Sequence, residues 1–398
     1  MRPGKEGAAF LGILFFGYLV YAADRTVLSA MLAPLTGALG LTGVSVGLLV
    51  AAQYIGVLSF VLLSGYLADR YGQRSVVLAG VAVFTASTWL IGFAGNFDEA
   101  FVLRLVSGFG EGLFWPAAMS SVANYFGVRK GMALGIFYAG FDLGGAAGSS
   151  IGSLTFSLTT DWRTAFFVAP LVGVPVLAGA YFSRRPFERA SGNLGRLEMG
   201  REALNLLKNG QMRILAMFAL LATWASVWQV AYLQYYYTKV LGTGVAAAGI
   251  IAALVLLAGL LGKVTLGAKS DSWRRDRLLV AVAAGMTLLY LVFFSTQDFW
   301  LGIGTVLAMG FVSSSIFPVM QALAADASGG KTGMALGLTT TFQSVATVFS
   351  TIIASSLFTL GVGRGIALDA LVPAVLLVIV GLFLRDSRSS AKAETVQP

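Results

Sequence analysis

The sequence predicts an all-α membrane protein of twelve transmembrane helices arranged as two six-helix pseudo-repeats. Three observations carry this. Of 398 residues, 57% are hydrophobic and only 11% charged, well below the about 25% charge of a typical soluble domain. The apolar residues gather into runs near the length that crosses a hydrocarbon core of about 30 Å as a helix. Short blocks of sequence also recur in the second half at a fixed distance from the first.

Cutting the chain at charged and turn-rich breaks gives runs near 8–33, 43–64, 76–95, 100–124, 131–157, 164–183, 214–237, 245–266, 278–297, 299–325, 332–358 and 366–384. The first follows only seven residues and lacks a small-residue cleavage site, so it reads as a retained span and not a signal peptide. The longest polar stretch, 184–213, is expected to be a cytoplasmic linker between a bundle at 1–183 and a second at 214–398. An even number of spans puts both termini on one side. Placing them in the cytoplasm gathers Arg70, Arg74, Arg129, Lys130, the segment Arg184 to Arg213, Arg274, Arg275, Arg277, Lys331, Arg385 and Arg388 inside, against Arg163, Lys239 and Arg364 outside. That bias is the positive-inside pattern, and it predicts a multi-pass protein of the cell (inner) membrane. The net charge of +9 is then a topology signal, with no nucleic acid expected as partner.

The chain has no Cys and no His. Disulfides, thiolate chemistry, Cys/His metal sites and imidazole relays are excluded, so proton chemistry falls to carboxylates. No metal or cofactor is expected. Without a nucleophile, base and orienting group, and with mostly short loops, an enzyme is not expected either.

The halves match without gaps. Gly65-Tyr66-Leu67-Ala68-Asp69 aligns with Gly267-Ala268-Lys269-Ser270-Asp271, Pro116 with Pro318, and Gly131-Met132-Ala133-Leu134-Gly135 with Gly333-Met334-Ala335-Leu336-Gly337. Each pair is separated by 202 (267 − 65, 318 − 116, 333 − 131). A duplicated six-helix unit places a substrate site near the midplane where the repeats meet.

Charges inside the apolar runs are the first functional candidates, because each costs about 2.5–3.5 kcal/mol at the bilayer centre on insertion scales. They are Asp24 and Arg25 in the first run, Arg104 and Glu111 in the fourth, and Asp142 in the fifth. Arg104 and Glu111 are two helical turns apart and share a face, and Tyr18 and Tyr21 follow helical spacing to Arg25. The offset of 202 maps Asp24, Arg25, Arg104, Glu111 and Asp142 onto Ser226, Val227, Val306, Ser313 and Ser344. A purely structural role favours retention in both copies; this one-sidedness points to a working site.

The second half offers neutral groups instead. Trp224, Trp228, Tyr232 and Tyr236 repeat every four residues beside Gln229, Ser313 lies in the tenth run and Gln343 in the eleventh. Trp228, Gln229, Ser313 and Gln343 are expected to line the substrate site with Arg25, Tyr18 and Tyr21. Tyr235, Tyr236 and Tyr237 are read as an interfacial aromatic belt.

The loop Gly65-Tyr66-Leu67-Ala68-Asp69-Arg70-Tyr71-Gly72-Gln73-Arg74 resembles the signature G-x-L-x-D-R-x-G-R-R of the major facilitator superfamily, with Gln73 replacing one basic residue. The resemblance extends over essentially the whole chain and implies the major facilitator fold. It also implies that Gly65, Asp69, Arg70, Gly72 and Arg74, with Asp271 in the weaker second copy, form a gating loop at the inner face. Within that superfamily, Asp24-Arg25 together with Arg104-x-x-x-Gly108-x-Gly110-Glu111 and Phe114-Trp115-Pro116 resembles the anion:cation symporter family. That resemblance implies proton-coupled symport of a small organic anion by alternating access. Arg25 would receive the substrate carboxylate, Asp24 and Glu111 would carry protons, Arg104 would tune Glu111, and Asp142 is the reserve carboxylate. Arg suits the first role because its planar fork is permanently charged. A different motif, Gly140-Phe141-Asp142-Leu143-Gly144-Gly145-Ala146-Ala147-Gly148, resembles the fifth-helix glycine motif of drug/proton antiporters but has Gly145 where Pro is expected. Small residues at this spacing let helices pack closely, and that is the reading adopted. The alternative function is a drug/proton antiporter exporting amphipathic compounds. The expected partners are a small organic anion, protons and the lipid bilayer, with the chain a monomer.

Overall fold

A computed structural model describes residues 5–126, 130–182, 205–270, 272–296, 298–328 and 332–384. Its helices fall where the apolar runs lie. The first five are α1 (Lys5–Ala38), α2 (Gly43–Tyr71), α3 (Gln73–Ile91), α4 (Phe97–Phe126) and α5 (Lys130–Thr159). The sixth segment is α6 (Trp162–Val168) and α7 (Gly173–Phe182), separated by a 3-10 turn at Ala169–Val172. The seventh is α8 (Gly210–Ala231) and α9 (Leu233–Lys239); the rest are α10 (Val245–Lys269), α11 (Arg275–Ser295), α12 (Phe299–Ala327), α13 (Thr332–Ser356) and α14 (Val362–Gly381).

Ten of these segments are long and apolar enough to cross a membrane. The other two, α4 and α5, are 30 residues each, ample length at about 1.5 Å per residue.

Two segments read as continuous spans are broken. Pro170 sits in the break of the sixth, where proline removes a backbone N–H and obstructs the preceding turn. In the seventh the backbone leaves helical geometry at Tyr232 (φ −124°, ψ −2°).

The chain divides into two compact units, one of Met1–Asn193 with Val230–Ala253, the other of Leu194–Gln229 with Leu254–Pro398. In the first, α1 packs along α5, and α4 lies between α2 and α3. Glycines permit these approaches. A Cβ on Gly140, Gly144 or Gly148 of α5 would fall 2.8, 2.1 or 2.5 Å from the backbone oxygen of Phe15, Leu19 or Ala23 on α1. The glycine motif of the fifth run is therefore a packing face. The short helix α9 also packs on α1 in this unit, and Gln234 donates to Ser149 Oγ at 3.0 Å. Tyr235, Tyr236 and Tyr237 are buried there, at 7, 7 and 1% exposure. They are not a lipid-facing belt, because packing against α1 covers them.

In the second unit α11 packs on α12 and α14, and α13 packs on both α12 and α14. The sequence repeat reappears as geometry. A Cβ on Gly108 would lie 2.0 Å from the carbonyl oxygen of Gln53; one on Gly310 would lie 2.4 Å from that of Val255. Both residues of the second contact are displaced by 202 from the first (310 − 108, 255 − 53).

Candidate functional site

Asp24 and Arg25 of α1 meet Arg104 and Glu111 of α4 in the first unit, beside neutral groups from α2 and α3. Arg104, Ser107 and Glu111 share a face of α4 through their spacing of three and four residues. The close approach at Gly108 sets Gln53 of α2 directly against that face.

Glu111 is fully buried. Its Oε2 accepts from Arg25 Nε at 2.9 Å and Nη2 at 2.7 Å. Its Oε1 accepts from Gln53 Nε2 at 2.5 Å. Asp24, 5% exposed, accepts at Oδ2 from Gln53 Nε2 at 2.8 Å and Ser107 Oγ at 2.6 Å, and at Oδ1 from Thr88 Oγ1. Arg104 donates through Nη2 to Gln53 Oε1, and its Nη1 lies 3.5 Å from Asp24 Oδ1. The amide of Gln53 is thus oriented by charge, its oxygen toward a guanidinium and its NH2 between two carboxylates. Two guanidiniums face two carboxylates, and such pairing is the condition for holding these groups out of water.

Within this cluster Arg25 is the most accessible member, with 12% of its side chain exposed. Nη2 also donates to Tyr21 OH at 2.5 Å. The guanidinium carbon lies 4.5 Å from the Tyr21 ring centre and 4.8 Å from that of Tyr54, a cation–π setting. Sequence reading paired Arg104 with Glu111 from their shared face. The tertiary contacts instead give Arg104 to Asp24 and Gln53, and Glu111 to Arg25 and Gln53, because α1 and α2 interpose their own polar groups.

Beside Asp24 lies a small pocket whose lining includes Asp24, Thr85, Thr88 and Pro170. The Oγ1 of Thr85 is buried and unpartnered among the described residues. The broken sixth segment therefore borders the cluster.

Other expected site residues sit differently. Tyr18 is buried and stacks on Phe137 at 4.5 Å, so it supports Tyr21 as core and presents no open face. Asp142 is buried on α5, 1% exposed. Trp228 is 0% exposed and enclosed by Tyr290, Phe293 and Phe294; it packs the second unit and lines no open surface. Gln229 donates to Tyr290 OH at 2.7 Å and accepts from Ser313 Oγ at 3.3 Å, so its amide is committed inside the bundle. Gln343 keeps a buried Nε2 without a partner among the described residues.

Gly72 joins α2 to α3 at φ +84°, a conformation that favours glycine. Arg74 donates to the carbonyls of Ala180, at 3.1 Å, and Tyr181, tying α3 to α7. Arg70 is exposed beside the Tyr71 ring. The surroundings of Gly65, the Asp69 side chain and Asp271 lie outside the described residues.

Sequence reasoning missed Gln53, Tyr54, Thr88 and Ser107, which carry no charge to mark them within their apolar runs. It also missed Asp369, a carboxylate inside the last apolar run whose charge was a legible signal.

The fold and this buried charge cluster define a membrane transporter. The chain matches the Major Facilitator Superfamily over residues 14–242 and 214–398, and it belongs to that family. It is 30% identical over 185 residues to the probable sulfoacetate transporter SauU of Cupriavidus necator, covering 46% of this chain and 43% of that one. It is 28% identical over 171 residues to the 3-(3-hydroxy-phenyl)propionate transporter of Escherichia coli, 42% of each. It is also 28% identical over 207 residues to the methylenomycin A resistance protein of Bacillus subtilis, covering 51% of this chain and 44% of that protein. The alignments thus span less than half of these relatives. Among solved structures, a bacterial homolog of the human lysosomal transporter Spinster superposes with a TM-score of 0.79 at 14% identity, over 96% of this chain and 95% of that one. A D-xylose–proton symporter does so with 0.78 at 16% identity, over 95% and 98%. At these identities the likeness concerns the fold.

Proposed function

We propose that the chain is a secondary active transporter that carries a small organic anion together with protons by alternating access, with Arg25 as anion receptor and Glu111 as the group that releases it. The observation that carries this reading is the pair of hydrogen bonds that Arg25 Nε and Nη2 donate to Glu111 Oε2. Those two donors form the fork that would grip a substrate carboxylate or sulfonate. While Glu111 is ionised the fork is occupied. A proton on Glu111 removes the charge that holds the guanidinium, and an entering anion then takes its place. One anion and one proton arrive together, so the local charge returns to zero and the closed intermediate carries no uncompensated ion.

Asp24 is the second proton candidate, held by Gln53 and Ser107 and set beside Arg104, and Asp142 is the reserve. The cytoplasmic position of both termini and of the Gly65 to Arg74 gating loop follows from the bias of basic residues. The names of the sulfoacetate and hydroxyphenylpropionate transporters support an anionic substrate. The resistance and export proteins among the relatives support the second reading, drug/proton antiport; the role of the Gly140, Gly144 and Gly148 stripe in packing on α1 gives that reading no site of its own.

The test begins with thermal stabilisation of purified protein by sulfoacetate, 3-(3-hydroxyphenyl)propionate and related carboxylates across pH, since a ligand that binds only the folded state raises its apparent stability. Stabilisation that strengthens at acid pH and disappears in Arg25→Ala is expected. Stabilisation by cationic amphiphiles alone, with Arg25→Ala indistinguishable from wild type, would replace symport by antiport.

A further inference from the structure

The second unit holds a buried carboxylate that the proposed anion site does not use. Asp369 lies on α14, seven residues after its first residue, and is 3% exposed. Its Oδ1 accepts from Trp224 Nε1 of α8 at 2.8 Å, and its Oδ2 accepts from Ser350 Oγ of α13 at 2.9 Å. Both donors are neutral. Among the described residues no cation pairs with it. Among the described residues, the phenol of Tyr290 on α11 is a titratable group in electrostatic reach of it; that phenol donates to the Ala225 carbonyl and accepts from Gln229. An intramembrane carboxylate placed among neutral partners differs sharply from Asp24 and Glu111, each of which faces a guanidinium.

The partners suit both protonation states. Ser350 Oγ also lies 3.5 Å from the Trp224 carbonyl oxygen. With Asp369 ionised, the single Ser350 hydroxyl hydrogen points to Oδ2. With a proton on Oδ2, the acid donates to the free lone pair of Ser350 Oγ, and Ser350 turns its hydrogen to the Trp224 carbonyl. Trp224 Nε1, a donor only, keeps Oδ1 throughout. The proton comes from water and returns to it, with no other bond formed or broken.

We propose that Asp369 is a proton-binding site of the second unit, separate from the anion site, whose protonation reverses the Ser350 hydrogen bond and so makes the joint between α8, α13 and α14 responsive to pH. The joint clasps α8 two turns before its break at Tyr232, which places the proton's effect on the helix that leads into α9.

The test needs no substrate, so it is independent of the anion reading. Infrared spectra of purified wild type and Asp369→Asn are recorded in deuterated buffer through a pH series. Asn keeps an acceptor for Trp224 and Ser350 but takes no proton. The wild-type minus variant difference is expected to contain one acid carbonyl band that is lost as pH rises and is replaced by a carboxylate band. A difference that shows the acid at every pH, or the carboxylate at every pH, overturns the proposal. Ser350→Ala, which removes the reversing hydroxyl, is expected to fold and to move the acid band in frequency. An unmoved band in that variant also overturns it, and this second arm stands if Asp369→Asn fails to fold.

Discussion

Replacing Glu111 by Gln probes the proposed linkage most directly. In the wild type the anion must take the Arg25 fork from a fully buried carboxylate that holds it through bonds of 2.9 and 2.7 Å. Breaking such a buried pair costs about 3–5 kcal/mol. At about 1.4 kcal/mol per decade, that is roughly two to three and a half decades of affinity. A proton on Glu111 offsets the cost, so one bound anion is linked to one bound proton. Acid therefore strengthens binding, by about tenfold per pH unit over the range in which a full proton is taken up. Gln resembles the protonated acid and holds the guanidinium weakly. Glu111→Gln is expected to bind the anion about 100-fold more tightly than wild type at alkaline pH, with a flat pH profile, and to lose accumulation driven by a proton gradient while retaining counterflow. Titration calorimetry with 3-(3-hydroxyphenyl)propionate and sulfoacetate across pH, followed by proteoliposome uptake, measures these effects. A variant that keeps the full wild-type pH slope, or still concentrates substrate in response to the gradient, refutes Glu111 as the linked proton site.

Gln53→Leu strands hydrogen-bonding atoms on Asp24, Glu111 and Arg104, and bonds to charged groups contribute about 1.5–3 kcal/mol each; a large fall in thermal stability is expected, and a melting curve that overlays the wild type would show the amide is dispensable. Gly108→Ala and Gly310→Ala each force a Cβ against a facing carbonyl oxygen, at 2.0 and 2.4 Å, and each should cost about 1–3 kcal/mol. Gly37→Ala, with open space around its Cβ, serves as the neutral control, and equal melting of all three would contradict the close-packing account. Asp69→Asn should slow turnover and shift the outward-to-inward balance while sparing equilibrium binding. Single introduced cysteines report that balance cleanly because the chain has none, and unchanged labelling with unchanged turnover would remove the loop from gating.

The sequence by itself determined the membrane class, the twelve segments and the duplication, because each is a local or periodic property. Twenty-odd apolar residues have few alternatives to a spanning helix in lipid, and an offset of 202 shows in any comparison of the chain with itself. It also marked Asp24, Arg25, Arg104 and Glu111, since a charge in an apolar run announces its own cost. Partnership was decided only in three dimensions. Arg104 and Glu111 share one helix face, yet each takes its ion-pair partner from α1, and Gln53 enters from α2, where Gly108 admits its backbone, to bond both. The same logic set Trp228 among Tyr290, Phe293 and Phe294, tied Gln229 to Tyr290 and Ser313, buried Tyr235 to Tyr237, and gave Asp369 its setting. A hydropathy profile records what a residue costs to bury; which neighbour meets that cost depends on helices distant in sequence, and those meet only when the bundle closes.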